Sequence, residues 1–96
     1  VPHDGPDCLP AVRLASDGTG YDRIGVPPGE RFIRMRGPGL FRAAVAGMAR
    51  AGAAVLADAG LTPADIDWWV PHQANARLIR DAGERLGVPP ERTVSV

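Results

Sequence analysis

Two histidines occur in this 96-residue chain, and only one stands where an imidazole could act on a substrate. His72 lies inside Trp68-Trp69-Val70-Pro71-His72-Gln73-Ala74-Asn75-Ala76-Arg77, after a short apolar run with strand character and before a helical pattern. A strand-to-helix junction leaves a side chain at the mouth of a sheet, where ligands gather in α/β folds. From Ala74 onward the junction also supplies backbone N–H groups free to meet a ligand. An imidazole there is either an ordinary loop histidine or a hydrogen-bond donor or general base. The single Cys8, between Pro6-Asp7 and Leu9-Pro10, has no helix start or basic neighbour to favour a thiolate and is not read as a nucleophile. Asp17 and Asp22 sit in turns and carry no catalytic assignment.

The elements that must hold this junction can be read from periodicity. Residues 1–8 are turn-formers, and Leu9 to Ala15 has strand character, with Pro10 favouring an edge. Ser16-Asp17-Gly18-Thr19-Gly20 is a turn, and Gly25 to Glu30, with Pro27-Pro28, is a loop. Arg31-Phe32-Ile33-Arg34-Met35 reads as a strand centred on Phe32 and Ile33. A helix then opens at Pro38, with Leu40, Phe41, Ala44, Val45, Met48, Val55, Leu56 and Ala59 at helical spacing and Gly60 as its cap. Gly47 and Gly52 weaken that helix in isolation, which points to close packing against a neighbour.

Thr62-Pro63-Ala64-Asp65 has the form of a short helix start, and Asp67 to Val70 reads as a strand ended by Pro71. A second helix is expected from Gln73 to Leu86, with Ala74, Leu78, Ala82 and Leu86 inside and Gly87 as cap. Trp68 and Trp69 alternate across their strand, so one belongs to the core and the other to a helix-facing or tunnel-facing wall. Thr93 to Val96 begins another strand. Alternating strands and helices imply an α/β fold.

Formal charge is zero at pH 7, which argues against a general nucleic-acid binder. All eleven basic residues are Arg, a bias expected of a GC-rich genome. No run is read as approaching a membrane span, the first residues lack signal-peptide regions, and a lone Cys fits a reducing cytoplasm.

The block Asp65-Ile66-Asp67-Trp68-Trp69-Val70-Pro71-His72-Gln73-Ala74-Asn75, followed by Arg77 and Leu86-Gly87, resembles the active-site histidine motif of the β-ketoacyl-acyl-carrier-protein synthase III family. The upstream Met35-Arg36-Gly37-Pro38-Gly39-Leu40-Phe41 is similar to that family's strand-to-helix segment, at the right spacing. The resemblance runs from about Leu9 to Val96. It implies a fragment of the thiolase-like αβαβα layered fold, with residues 1–30 ending the N-terminal half and connecting onward, and residues 31–96 forming an incomplete C-terminal domain. The parent is then expected to be longer than this chain, and to be a homodimer with no metal and no bound redox cofactor.

The implied chemistry joins a primer, brought as acyl-coenzyme A and held on a cysteine, to malonyl-acyl-carrier protein with loss of carbon dioxide. Coenzyme A thioesters and phosphopantetheine would act as substrate carriers. His72 corresponds to the histidine of the family's Cys-His-Asn triad, a donor to the thioester enolate oxygen. Gly37, Phe41, Ala74 and Asn75 match positions lining the pantetheine channel, although Asn75 could instead cap the helix. Arg77 matches the contact to the acidic carrier protein, with Arg36 and Arg42 as weaker candidates; Arg36 departs from the small residue common there. Pro38-Gly39 replaces a polar pair more typical of the family, which bears on loop shape. Two alternatives stand beside this reading. The chain could be an inactive remnant or a carrier-protein or pantetheine-binding module, or part of a related acyltransferase in which His72 is a general base. Alone, the 96 residues should not condense anything and should be only marginally soluble.

Overall fold

The computed structural model describes residues 9–96. Its longest element is α1 (Gly37–Asp58), which Pro38 opens in the first turn and a glycine closes. Gly60 adopts φ +73°, the left-handed conformation that a side chain resists. Its N–H donates to Ala57 O at 3.1 Å and the Leu61 N–H donates to Leu56 O at 2.8 Å, the paired bonds of a Schellman motif.

The second helix, α2 (Ala76–Leu86), begins three residues later than the periodicity suggests. Asn75 explains the delay: its backbone is extended and its side chain accepts from the Leu78 N–H at 2.8 Å, so it caps the helix rather than joining it. Gly87 ends α2 at φ +92°. Ala74, placed inside by the periodicity, is exposed because it precedes the helix.

The core lies between the two helices. Val45, Ala49 and Leu56 of α1 meet Leu78, Ala82 and Leu86 of α2, with Val88 beneath them and Trp69 packed against both groups. Each buried Leu contributes roughly 1.5–3 kcal/mol relative to exposure. Gly52 belongs to this contact, since a Cβ there would lie 2.9 Å from Leu86 Cδ2. Gly83 admits Trp69, whose Cζ3 would lie 3.0 Å from an added Cβ. Gly47 faces open space, so the expectation of close packing holds at Gly52 and not at Gly47.

The strands are shorter than expected. Trp69 and Thr93 form a parallel bridge, with the Trp69 N–H donating to Arg92 O at 2.8 Å and the Val94 N–H donating to Trp69 O at 2.9 Å. Segment, α2 and returning segment thus make one minimal βαβ unit. Pro71 has no N–H to extend the ladder. Between them and α1, Pro63–Asp65 forms a single 3-10 turn, closed by Asp65 Oδ2 accepting from the Thr62 N–H at 2.7 Å.

The other pair is antiparallel, β1 (Ile24–Gly25) with β2 (Arg34–Met35), in register Ile24↔Met35 and Gly25↔Arg34. The expected strand at 31–35 is therefore only its last two residues, and Phe32 is 79% exposed. Residues 9–15 form no strand. They run as irregular chain fastened at Arg13, whose guanidinium makes two bonds to the Asp58 carboxylate, one of 2.9 Å from Nη2. Those bonds hold the Asp58 carboxyl below its ordinary pKa.

Sequence reading found no run near a membrane span, yet α1 is long and apolar enough, by length and composition, to cross one. It carries Arg42 and Arg50, each costing about 2.5–3.5 kcal/mol at a bilayer centre. Its apolar stripe, moreover, rests on α2. The helix is read as a core helix on those two grounds.

Candidate active site

Five of the residues singled out in sequence come together. Gly37 and Phe41 from the first turns of α1, and Ala74, Asn75 and Arg77 from the start of α2, line one groove of about 730 Å³. The two helices pack side by side, and their N-terminal ends together form its walls. Leu78 and Leu40 supply apolar lining. At Gly37 a Cβ would meet nothing within 4 Å, so the missing side chain leaves groove volume open rather than serving the fold.

Arg77 spans the two helices. Its Cζ lies 5.1 Å from the Phe41 ring centroid, over the ring, while its Nε is 4.0 Å from Asp81 Oδ2. The side chain is 75% exposed, so the ion pair contributes little and the ring contact sets its direction. Arg42 also lines the groove, whereas Arg36 lines a different hollow beside Tyr21 and Asp22. Sequence reading missed Met35, Pro38, Leu40 and Leu78 as lining; Leu78 is three residues after Asn75, a helical spacing that could have signalled it.

His72 is not part of the groove lining. It is exposed, two residues before Ala74, directly after the buried Pro71 and the Trp69–Thr93 bridge. No described group bonds its ring, and the His72 carbonyl accepts from the Ala74 N–H at 2.9 Å. Two backbone donors expected to face a ligand are thus already used, Ala74 by His72 O and Leu78 by Asn75 Oδ1. Cys8 lies outside the described residues. Of the tryptophans, Trp69 is in the core and Trp68 is 64% exposed.

Known proteins share both sequence and fold. The family described as 3-oxoacyl-[acyl-carrier-protein] synthase III C terminal matches residues 56–96. A 3-oxopimeloyl-[acyl-carrier-protein] synthase of Rhodothermus marinus is 40% identical over 110 residues, covering 99% of this chain and 32% of that protein. A β-ketoacyl-[acyl-carrier-protein] synthase III of Streptomyces coelicolor is 41% identical over 90 residues, covering 94% of this chain and 27% of that protein. The crystal structure of 3-oxoacyl-(acyl carrier protein) synthase III from Pseudomonas aeruginosa PAO1 superposes with a TM-score of 0.85 at 37% identity, over 92% of this chain and 28% of that one. The Aquifex aeolicus VF5 enzyme gives 0.86 at 32% identity, over the same shares.

The chain therefore spans about a third or less of the length of these relatives and has the thiolase-like fold of the corresponding part. In sequence and in fold, it belongs to the β-ketoacyl-[acyl-carrier-protein] synthase III family as a partial chain whose residues 56–96 match the family's C-terminal part.

Proposed function

We propose that this chain is the part of a decarboxylating condensing enzyme that supplies one enolate donor and one wall of the pantetheine channel. The observation that carries the reading is the groove: Gly37, Phe41, Ala74, Asn75 and Arg77, drawn from two separate stretches of sequence, line one space of about 730 Å³. The substrates are an acyl-coenzyme A primer and malonyl-acyl-carrier protein, in fatty-acid or polyketide biosynthesis. In this reading the division at residue 30 separates a connecting segment from the catalytic C-terminal part, and the parent is a cytoplasmic homodimer.

The chemistry follows from charge. When a malonyl thioester loses carbon dioxide, the electrons of the broken C–C bond move into an enolate whose thioester oxygen becomes negative. A fixed N–H aimed at that oxygen lowers the barrier, and removing one such donor costs roughly 2.7–4 kcal/mol. His72, exposed and with an unoccupied ring, is free to present that N–H. Phe41 and Leu78 line an apolar path for the arm, and Arg77, held over Phe41, faces the acidic carrier at the mouth.

The test is a full-length protein containing this segment. His72→Ala should depress malonyl-thioester decarboxylation roughly 100–1,000-fold, the cost of one lost donor, while acyl transfer from coenzyme A persists. Unchanged decarboxylation would sink the donor role and favour the general-base alternative. Arg77→Glu should raise KM for the carrier thioester with little change for a pantetheine thioester. The isolated 96 residues should show no turnover, because the family's cysteine and its asparagine loop have no motif-matched positions here.

A further inference from the structure

Gln73 is the motif residue with no part in the chemistry above, and its contacts are unusual. In the parallel ladder set by Trp69 and Thr93, the next two bonds would run from the N–H of residue 71 to Val94 O, and from the Val96 N–H to residue 71 O. Pro71 has no N–H to give. The Gln73 side-chain amide enters instead. Its Nε2 donates to Val94 O at 3.0 Å and to Pro71 O at 3.0 Å, and its Oε1 accepts from the Val96 N–H at 3.0 Å. One primary amide thus satisfies both partners that the ladder would have used and ties Pro71 back to the returning segment.

We propose that Gln73 is a positioning residue for His72, a surrogate peptide group that continues the ladder past a proline and inserts an amide between the two segments at the point where they carry the histidine. His72 is the one residue between Pro71, whose carbonyl is bonded, and Gln73, whose side chain is bonded at both ends. Its backbone is anchored on both sides although its own side chain is free. A regular pair with an N–H at position 71 would need no inserted amide. This inference rests on the reading of His72 as a donor.

The experiment is a double-mutant cycle in the full-length protein, read by malonyl decarboxylation, acyl transfer and the NMR signals of the His72 ring. Gln73→Glu keeps the acceptor for Val96 but sets a carboxylate against two carbonyls. Both Gln73→Glu and Gln73→Ala should lower kcat for decarboxylation roughly 10–100-fold, as expected for a misplaced catalytic group. KM and acyl transfer should stay near their starting values, and the His72 ring signals should move. Pro71→Ala, which restores the N–H, should remain close to the starting rate. In that background, Gln73→Ala should lose far less, because residue 71 can now take both bonds itself.

An equal loss from Gln73→Ala in the two backgrounds would overturn the surrogate-peptide role. So would unchanged rates and ring signals in the Gln73 variants while His72→Ala abolishes decarboxylation. If His72→Ala decarboxylates normally, the donor reading fails, and the ring signals across the cycle still decide the positioning role. If Gln73→Glu does not fold, Gln73→Ala with and without Pro71→Ala carries the test.

Discussion

Residues 9–36 and residues 37–96 are both rich in apolar side chains, and they fare differently. All eight buried core residues fall in the second region. The first buries none, and leaves Val12, Leu14, Phe32, Ile33 and Met35 more than half exposed. Helices close their own backbone bonds and need only one partner face, which α1 and α2 give each other. A strand needs neighbours on its edges before its side chains can be covered, and a lone two-stranded pair is marginal. The radius of gyration, 15.8 Å against about 12 Å for a compact domain of this size, reflects the uncovered region. Apolar content alone therefore does not make a core; the connectivity has to bring a second layer to it.

The largest expected effect separates the regions directly. Leu78→Ala, at a residue 5% exposed between the helices, should cost about 2–5 kcal/mol. Phe32→Ala should change the melt by roughly 0.5 kcal/mol or less. Comparable losses at both, measured by chemical denaturation of this chain, would erase the distinction. Next is Gly83→Val, which drives a branched side chain toward Trp69 and should cost roughly 1–3 kcal/mol, with a shift in tryptophan emission. A neutral outcome would mean that Trp69 does not rest on α2.

Asn75→Ala should cost about 1 kcal/mol through the lost cap and should loosen the groove wall, seen as faster amide exchange at Ala76 to Leu78. Unchanged exchange there would argue that Asn75 faces the groove without holding the helix. The smallest effect is that of pH. Arg13 lowers the Asp58 carboxyl pKa, and Thr62 lowers that of Asp65. A carboxyl lowered in the folded state stabilises above its ordinary value of about 3.9, and that contribution fades as pH falls through the lower folded value. The melting point should therefore hold to about pH 5 and slip below about pH 4. Asp58→Asn should flatten part of that slope, and an unaltered slope would show that the Arg13 contact does not form in solution.

Much of the site was legible because its signals are local. Gly60 and Gly87 as stops and Pro38 at a helix start each follow from a conformational preference within one turn, whereas the Asn75 cap stood only beside a channel-lining reading. The strands were not. Leu9 to Ala15 and Arg31 to Ile33 have strand composition but form no strand, and Thr93 to Val96 pairs only through the single bridge at Thr93, because strand formation depends on a partner that composition does not contain. The inner position assigned to Ala74 failed for a related reason: the helix period was extended through a cap that interrupts it.

The sequence by itself determined the two helices, their glycine stops, the motif around His72 and the family that motif resembles, since each rests on residue type and spacing. Only the tertiary structure decided that Gly37 and Phe41 share a groove with Ala74, Asn75 and Arg77, because the packing of the two helices depends on how Leu86 and Trp69 fit against Gly52 and Gly83. It alone also decided that the Gln73 amide stands in for the N–H that Pro71 lacks, a bond whose partners lie more than twenty residues away.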